Sequence, residues 1–237
     1  MLDIQAVLPA STRLKHLEAL HHGIQDRYPN RRTRKRIEGR LDFRAAGELQ
    51  VTQGLSANED GYLFSTRDGK RIVQARLDGF TFNQLKPYGT WEVFRDEAKE
   101  HWKTYLDIAH PDSVTRIALR YINRIELPLP IGDFKDYLKI APDILAANVP
   151  HAVQNFFLRL EIPYASGALA LVTETILPPE DPASAKTLPF ILDIDVIRAE
   201  VVDPPFSGIW DKFEELRQIK NDIFFGTITP LAEALFQ

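Results

Sequence analysis

The stretch RIALRYINR, residues 116–124, places Arg116, Arg120 and Arg124 four residues apart in an otherwise apolar run. Guanidinium is planar, always charged and forks two parallel hydrogen bonds onto a carboxylate or phosphate. Repeated arginine rather than lysine therefore points to recognition of a planar anion. In a strand rising about 3.3 Å per residue, the three recur every ~13 Å along one face. A helix would align them too, since i, i+4 and i+8 share a face. The β-branched and aromatic neighbours and the stop at Pro128 favour a strand. Odd positions 115 to 127 then form the core face, and even positions carry the arginines.

The same alternation recurs downstream. FILDIDV leaves Asp193 and Asp195 opposite Phe190, Leu192, Ile194 and Val196, and FLRLEI leaves Arg159 and Glu161 opposite Leu158, Leu160 and Ile162. Glu174 sits in the strand between. The candidate ligand-binding residues are therefore Arg116, Arg120, Arg124, Asn123, Arg159, Glu161, Asp193 and Asp195. Two readings stay open: a wet sheet face with cross-strand ion pairs worth about 0.2–1 kcal/mol each, or a concave polar surface for an anionic ligand.

Other chemistry is thinly represented. No serine lies in a G-x-S-x-G setting, and no glycine cluster matches a phosphate loop or dinucleotide fingerprint. Glu18 and His22 have the i, i+4 spacing of a metal pair but lack an evident third ligand. His101 reads as a packed or surface histidine and His110 as a helix end. Zero cysteines exclude disulfides, thiolate metal sites and cysteine nucleophiles, and fit a reducing, cytoplasmic setting. No catalytic residue, metal or cofactor is expected.

The elements that must position these residues follow from periodicity. LDIQAVL reads as a first strand, and Ser11 as the cap of a helix running to Tyr28. Period-two alternation over Arg36–Arg44 predicts a strand with Ile37, Leu41 and Phe43 on one face. Asp68-Gly69 between two strand-like runs is the strongest hairpin signal. TWEVFRDEAKEHWKTYLDIA predicts a helix capped by Thr90, with Trp91, Phe94, Ala98, Trp102, Tyr105 and Ala109 as its core stripe. A short helix near Asp133–Leu138, strands at NFFLRLEIPY, ALALVTETIL and LPFILDIDVIRAEVV, and a proline-rich loop at PPEDPASAKTLP follow. Ser207 is placed as the cap of a last long helix ending at Gly226, with Thr229-Pro230 starting a terminal turn.

Runs of strands followed by long helices argue for an α+β fold of antiparallel sheet covered by long amphipathic helices. The 237 residues read as a single body, 1–237, built of two α+β units, 1–130 and 131–237. No signal peptide is apparent at the N-terminus, and no run approaches 18 uninterrupted apolar residues, so no membrane partner is expected. The net charge of −4 hides an asymmetry. Residues 27–44 hold eight basic and two acidic side chains, +6 locally, which leaves −10 on the remainder. Such a segment, with Arg31, Arg32, Arg34, Lys35 and Arg36 at its centre, pairs with the protein's own carboxylates or with nucleic acid, the latter disfavoured by the acidic remainder.

The segments VQARLDGFTFNQLKPYGTWEVF, RIALRYINRIELP, LDIDV and KNDIFFGTITP resemble the signatures of an uncharacterised, sporadically distributed prokaryotic family of about 250 residues. The resemblance runs over essentially the whole chain and implies no activity, so no catalytic residue is carried over. Its distribution implies a further reading, a partner protein in a mobile defence or toxin–antitoxin module. The leading expectation is a cytoplasmic binding or regulatory protein, not assumed to be an enzyme, whose arginine-lined sheet face takes an anionic small molecule or protein. The enzymatic alternative is a metal-dependent phosphohydrolase, because a sheet face mixing these arginines with Glu161, Glu174, Asp193 and Asp195 resembles the interior of triphosphate-tunnel hydrolases. The Glu-x-Glu-x-Lys segment of those enzymes is absent here.

Overall fold

Alternating apolar residues make strands, and the three- and four-residue apolar stripes make helices that cover them. In the computed structural model, which describes residues 1–38, 42–43, 49–50, 56–141, 153, 155–179, 181 and 184–236, the order is β1 (Leu2–Val7), α1 (Leu14–Ile24), β2 (Asn30–Glu38), β3 (Asp42–Phe43), β4 (Leu49–Gln50), β5 (Ser56–Ser65), β6 (Arg71–Arg76), β7 (Gly79–Gln84) and α2 (Trp91–Ala109). There follow β8 (Ser113–Pro128), a 3-10 turn at Phe134–Asp136, β9 (Phe157–Pro163), β10 (Ala168–Ile176), β11 (Thr187–Val202), α3 (Ile209–Thr227), α4 (Pro230–Glu233) and a last 3-10 turn at Ala234–Phe236. Nine strands form one antiparallel sheet in the order β2-β5-β6-β7-β1-β8-β11-β10-β9, and β3 pairs with β4 apart from it. The class is α+β. No helix among the described residues is long and apolar enough to cross a membrane.

The chain divides into two units, Met1–Thr115 with Val201–Phe206, and Arg116–Glu200 with Ser207–Gln237. The division falls inside β8 and β11, each 16 residues long.

In the first unit, Leu2 and Ile4 of β1, Val73 and Ala75 of β6 and Phe80 and Phe82 of β7 are fully buried. Leu17, Leu20 and Ile24 of α1 and the stripe Trp91, Phe94, Ala98, Trp102, Tyr105 and Ala109 of α2 are buried too. The indole of Trp102 lies 5.7 Å from the ring of Phe80, 5.3 Å from Tyr105 and 6.2 Å from Phe206. Thr90 caps α2, its hydroxyl accepting from the Val93 N–H at 3.4 Å, and His110 ends the helix in a left-handed conformation, φ 45°. The helix α1 starts at Leu14 rather than at Ser11, with Arg13 as its cap and the Arg13 N–H donating to His16 Nδ1 at 3.2 Å. Gly79, at φ +144°, lets β7 approach β1 so closely that a Cβ there would lie 2.0 Å from the Ile4 carbonyl oxygen.

In the second unit, the even residues of β10 and β11, Ala168 to Ile176 and Phe190 to Val196, are buried on the face that receives α3. Phe213, Leu216 and Ile219 of α3 are buried in return. Gly208, with φ 81°, occupies the N-cap of α3 in place of Ser207, and the helix passes through Gly226 to Thr227. Thr229 caps α4, accepting from the Ala232 N–H at 3.3 Å. The expected strand over Arg36–Arg44 begins earlier, at Asn30, and its residues 39–41 and 44 lie outside the described ones.

Candidate functional site

The arginines of β8 fall on the face away from α3, as their even positions require, and each of the two whose pairing is resolved already holds a carboxylate. Arg120 forks onto Asp193 of β11, with Nε 2.9 Å from Oδ1 and a terminal nitrogen 2.5 Å from Oδ2. This hydrogen bond and the nearby Asp195 hold its pKa above the usual guanidinium value. Arg124 bonds Glu126 within its own strand at 2.7 Å, and Glu126 also accepts from the Thr187 hydroxyl at 2.8 Å. Arg159 and Glu161, neighbours on exposed β9, are 3.5 Å apart. Arg116 is half-buried at the start of the second unit.

The eight expected residues therefore do not converge. Arg159 aligns with Thr173 of β10, which aligns with Asp193, while Glu161 aligns with Leu171 and then Asp195. One whole strand thus separates the Arg159–Glu161 pair from the Arg120–Asp193 pair, about 10 Å at ordinary strand spacing. Asn123 sits on the opposite face, its amide donating to the Leu192 carbonyl at 3.0 Å, a bond between strands rather than a ligand contact. Glu174 is on that opposite face as well, opposite Leu192 and Leu158 and fully buried. The expectation that it shares a polar face with the arginines fails on this parity. Both Glu174 carboxyl oxygens lack a hydrogen-bond partner among the described residues, and burial raises its pKa to about 7. Among the described residues no three His, Asp or Glu side chains are grouped to hold a metal ion, Glu18 and His22 included.

A different basic site lies on the first unit, around the β5–β6 turn and the chain entering β2. Thr66, Arg67, Asp68, Lys70 and Arg71, with Asp26, Arg27, Gln84, Leu85 and Pro87, line a cleft of about 640 Å³. A second depression of about 510 Å³ shares Arg67 and Asp68 and adds Arg31 and Arg32 among its walls. Together the linings hold six basic side chains against Asp26 and Asp68, a net +4.

Local sequence explains the turn. Gly69 supplies φ 69°, and Asp68 Oδ1 accepts from the Thr66 hydroxyl at 2.6 Å and from the Lys70 N–H at 3.0 Å. These bonds hold the Asp68 pKa below the usual carboxylate range. The turn thus projects Arg67 and Lys70, both exposed, on either side of a fixed loop.

The floor of the cleft is anchored from α2. Glu97, buried, takes the phenol of Tyr28 at 2.6 Å on Oε1, where Arg27 also binds, and Arg71 at 3.0 Å on Oε2. His101 Nε2 lies 3.8 Å away, its ring edge-on to Tyr28. Although burial opposes ionisation, the surrounding hydrogen bonds and guanidinium groups lower the Glu97 pKa to about 2. The carboxylate thus stays charged and fixes two arginines whose outer halves remain solvent-accessible. Burial and the bond to Glu97 push the Tyr28 pKa up, so its phenol remains a donor. Arg27 also reaches Glu100 at 3.2 Å.

The five basic residues singled out in the sequence separate along the edge strand β2. Arg31 pairs with Glu18, and Arg34 with Asp60 of β5. Lys35 is exposed beyond a register shift between Arg34 and Lys35, and the Arg36 side chain lies outside the described ones. Arg32 and Arg67 enter no ion pair among the described residues. Arg67, Lys70 and Arg71 were not singled out in the sequence. The Asp68-Gly69 hairpin signal marks where they meet, because the β5–β6 turn lies at the end of the sheet where β2 begins.

Comparison with protein-family models, curated proteins and solved structures gives no match.

Proposed function

We propose that this chain is a cytoplasmic binding protein whose anionic ligand or partner docks in the basic cleft beside the Asp68-Gly69 turn. The observation that carries the reading is the contrast between two sets of arginines. Arg120, Arg124 and Arg159 spend their charge on neighbouring carboxylates along the sheet face. Arg32 and Arg67 stand without an ion pair among the described residues, beside Arg27 and Arg71 held in place by buried Glu97. Fixed guanidinium groups lose little freedom when a ligand binds, and uncompensated ones gain most from it. The cleft volume lies in the range of small-ligand sites.

The metal-dependent phosphohydrolase reading is less favoured, because Glu174 faces away from the arginines while Glu161, Asp193 and Asp195 stay on their face. The resemblance to an uncharacterised prokaryotic family names no activity and leaves the assignment of the cleft unaffected. The test is retention on heparin at low salt by the wild type and by an Arg32→Gln/Arg67→Gln double variant. Retention by the wild type that is lost in the variant upholds the reading. Absent retention, or retention the variant does not change, rejects it.

A further inference from the structure

We infer that the basic cleft takes a small molecule bearing two or more phosphate groups, with Arg67 between them. This rests on the reading of the cleft as an anion site and adds the chemical class of the anion. Three observations select it.

The two depressions share Arg67 and Asp68, so one ligand reaching into both must place anionic groups on either side of the Arg67 side chain. Arg27, Lys70 and Arg71 lie on one side of that divide, and Arg31 and Arg32 on the other. Glu18, Glu97 and Glu100 already pair with Arg31, Arg27 and Arg71, so the cations of the lining without an ion pair among the described residues are Arg32 on one side, Lys70 on the other and the shared Arg67. A compact ligand with two phosphates, each carrying between one and two negative charges near neutral pH, matches that spread of free cations.

Five of the six cations are arginines, whose fork meets two phosphate oxygens at once. The neutral groups at the rim, Ser65, Thr66, Asn30 and Gln84, are hydrogen-bonding residues suited to the polar body of such a molecule. Arg27 and Arg71 are already oriented by Glu97, whose lowered pKa keeps it ionised near neutral pH.

A nucleic-acid strand fits less well. Among the described residues no aromatic ring lines either depression, so bases find no stacking platform there. The body outside the basic segment also carries −10, which repels a long polyanion that a small ligand never meets.

The test is calorimetric titration of the full chain with pyrophosphate, orthophosphate, citrate, ADP, fructose 1,6-bisphosphate and a 20-nucleotide single strand. It is repeated on Arg67→Gln, an exposed change whose fold is checked by circular dichroism. The expected result is at least tenfold tighter binding of one of the bisphosphorylated probes than of orthophosphate or citrate, with at least tenfold weakening in Arg67→Gln. Preference for ADP traces the phosphates to a nucleotide, preference for the sugar bisphosphate to a phosphorylated metabolite, and either upholds the class. Citrate binding as tightly as pyrophosphate, or the oligonucleotide binding tighter than all, overturns the class while heparin retention that depends on Arg32 and Arg67 leaves the anion site standing. Binding of the bisphosphorylated probes unchanged in Arg67→Gln overturns the placement, and no binding by any probe overturns the inference itself.

Discussion

Replacing Glu174 by glutamine should stabilise the protein at alkaline pH and leave it unchanged in acid. Glu174 is fully buried on β10, aligned with Leu192 and Leu158 on the face that receives α3, and neither of its oxygens has a partner among the described residues. Burial lifts its pKa from 4.5 to about 7. Below pH 4.5 the carboxyl is protonated in both folded and unfolded chains and costs nothing extra. Between 4.5 and about 7 the folded chain keeps the proton that the unfolded chain releases. Unfolding is then accompanied by proton loss, and stability falls as pH rises. Above about 7 both forms are ionised and the full penalty is present. At 1.36 kcal/mol per unit, the displacement corresponds to about 3 kcal/mol. Glutamine has nearly the same shape and carries no charge. The assay is urea unfolding of both proteins at pH 4.5, 6, 7 and 8. The stability gap between variant and wild type should open from near zero to about 3 kcal/mol over that series. A gap that stays constant from pH 4.5 to 8 would refute the reasoning, since it would show that the carboxyl ionises equally easily in both states.

Glu97 should behave in the opposite sense. Its lowered pKa supplies stability that is complete above 4.5 and lost as pH falls toward 2, so Glu97→Gln should flatten the acid limb of the wild-type stability profile; superimposable acid limbs would contradict this. Trp102→Ala should cost about 3–5 kcal/mol, read as a fall in denaturant midpoint, because the indole is 3 % exposed and fills the space between Phe80, Tyr105 and Phe206. Arg120→Gln should cost under about 1 kcal/mol in the same assay, since its side chain is 40 % exposed and its pair with Asp193 is screened by solvent; a larger loss would show the pair to be a buried element of the fold.

Much of the fold was legible because its signals are local and periodic. Trp91, Phe94, Trp102 and Tyr105 repeat at helical steps and are buried together, and Arg116 to Arg124 lie in a strand, although Val114 and Ala118 are buried on the arginines' own face and Tyr121 and Asn123 are only half-buried on the other. Asp68-Gly69 marked its hairpin because Gly69 takes the left-handed conformation a tight turn needs, whereas the same pair at Asp60-Gly61 lies within β5. Helix starts were less legible where no side chain caps. Arg13, whose N–H is met by the His16 ring, and Gly208, in a left-handed conformation, occupy the N-caps in place of Ser11 and Ser207.

The site was the least legible feature. Alternation within one strand reveals which residues share a face, and the parity of Arg120 and Asp193 was read correctly from it. It carries no register between strands, so it could not show that β10 separates Arg159 from Asp193, or that Glu174 faces α3. The basic cleft was harder still. It assembles the end of α1, the start of β2 and the β5–β6 turn, segments about 40 residues apart, around a glutamate from a helix further along the chain. Nothing in the sequence near Glu97 distinguishes it from the exposed glutamates beside it. Its position on the buried stripe of α2, one turn before His101, is the one clue, and that clue gains meaning once Arg27 and Arg71 are seen to meet it.

The most direct test of the central claim is to observe the arginine side chains themselves. Nε–Hε resonances of the ¹⁵N-labelled protein, assigned by single Arg→Lys variants, are followed during titration with pyrophosphate. Shifts confined to the cleft arginines Arg27, Arg31, Arg32, Arg67 and Arg71, with Arg120, Arg124 and Arg159 unmoved, are what the account predicts. Shifts at Arg120 with the cleft arginines silent would contradict it and return the ligand to the sheet face.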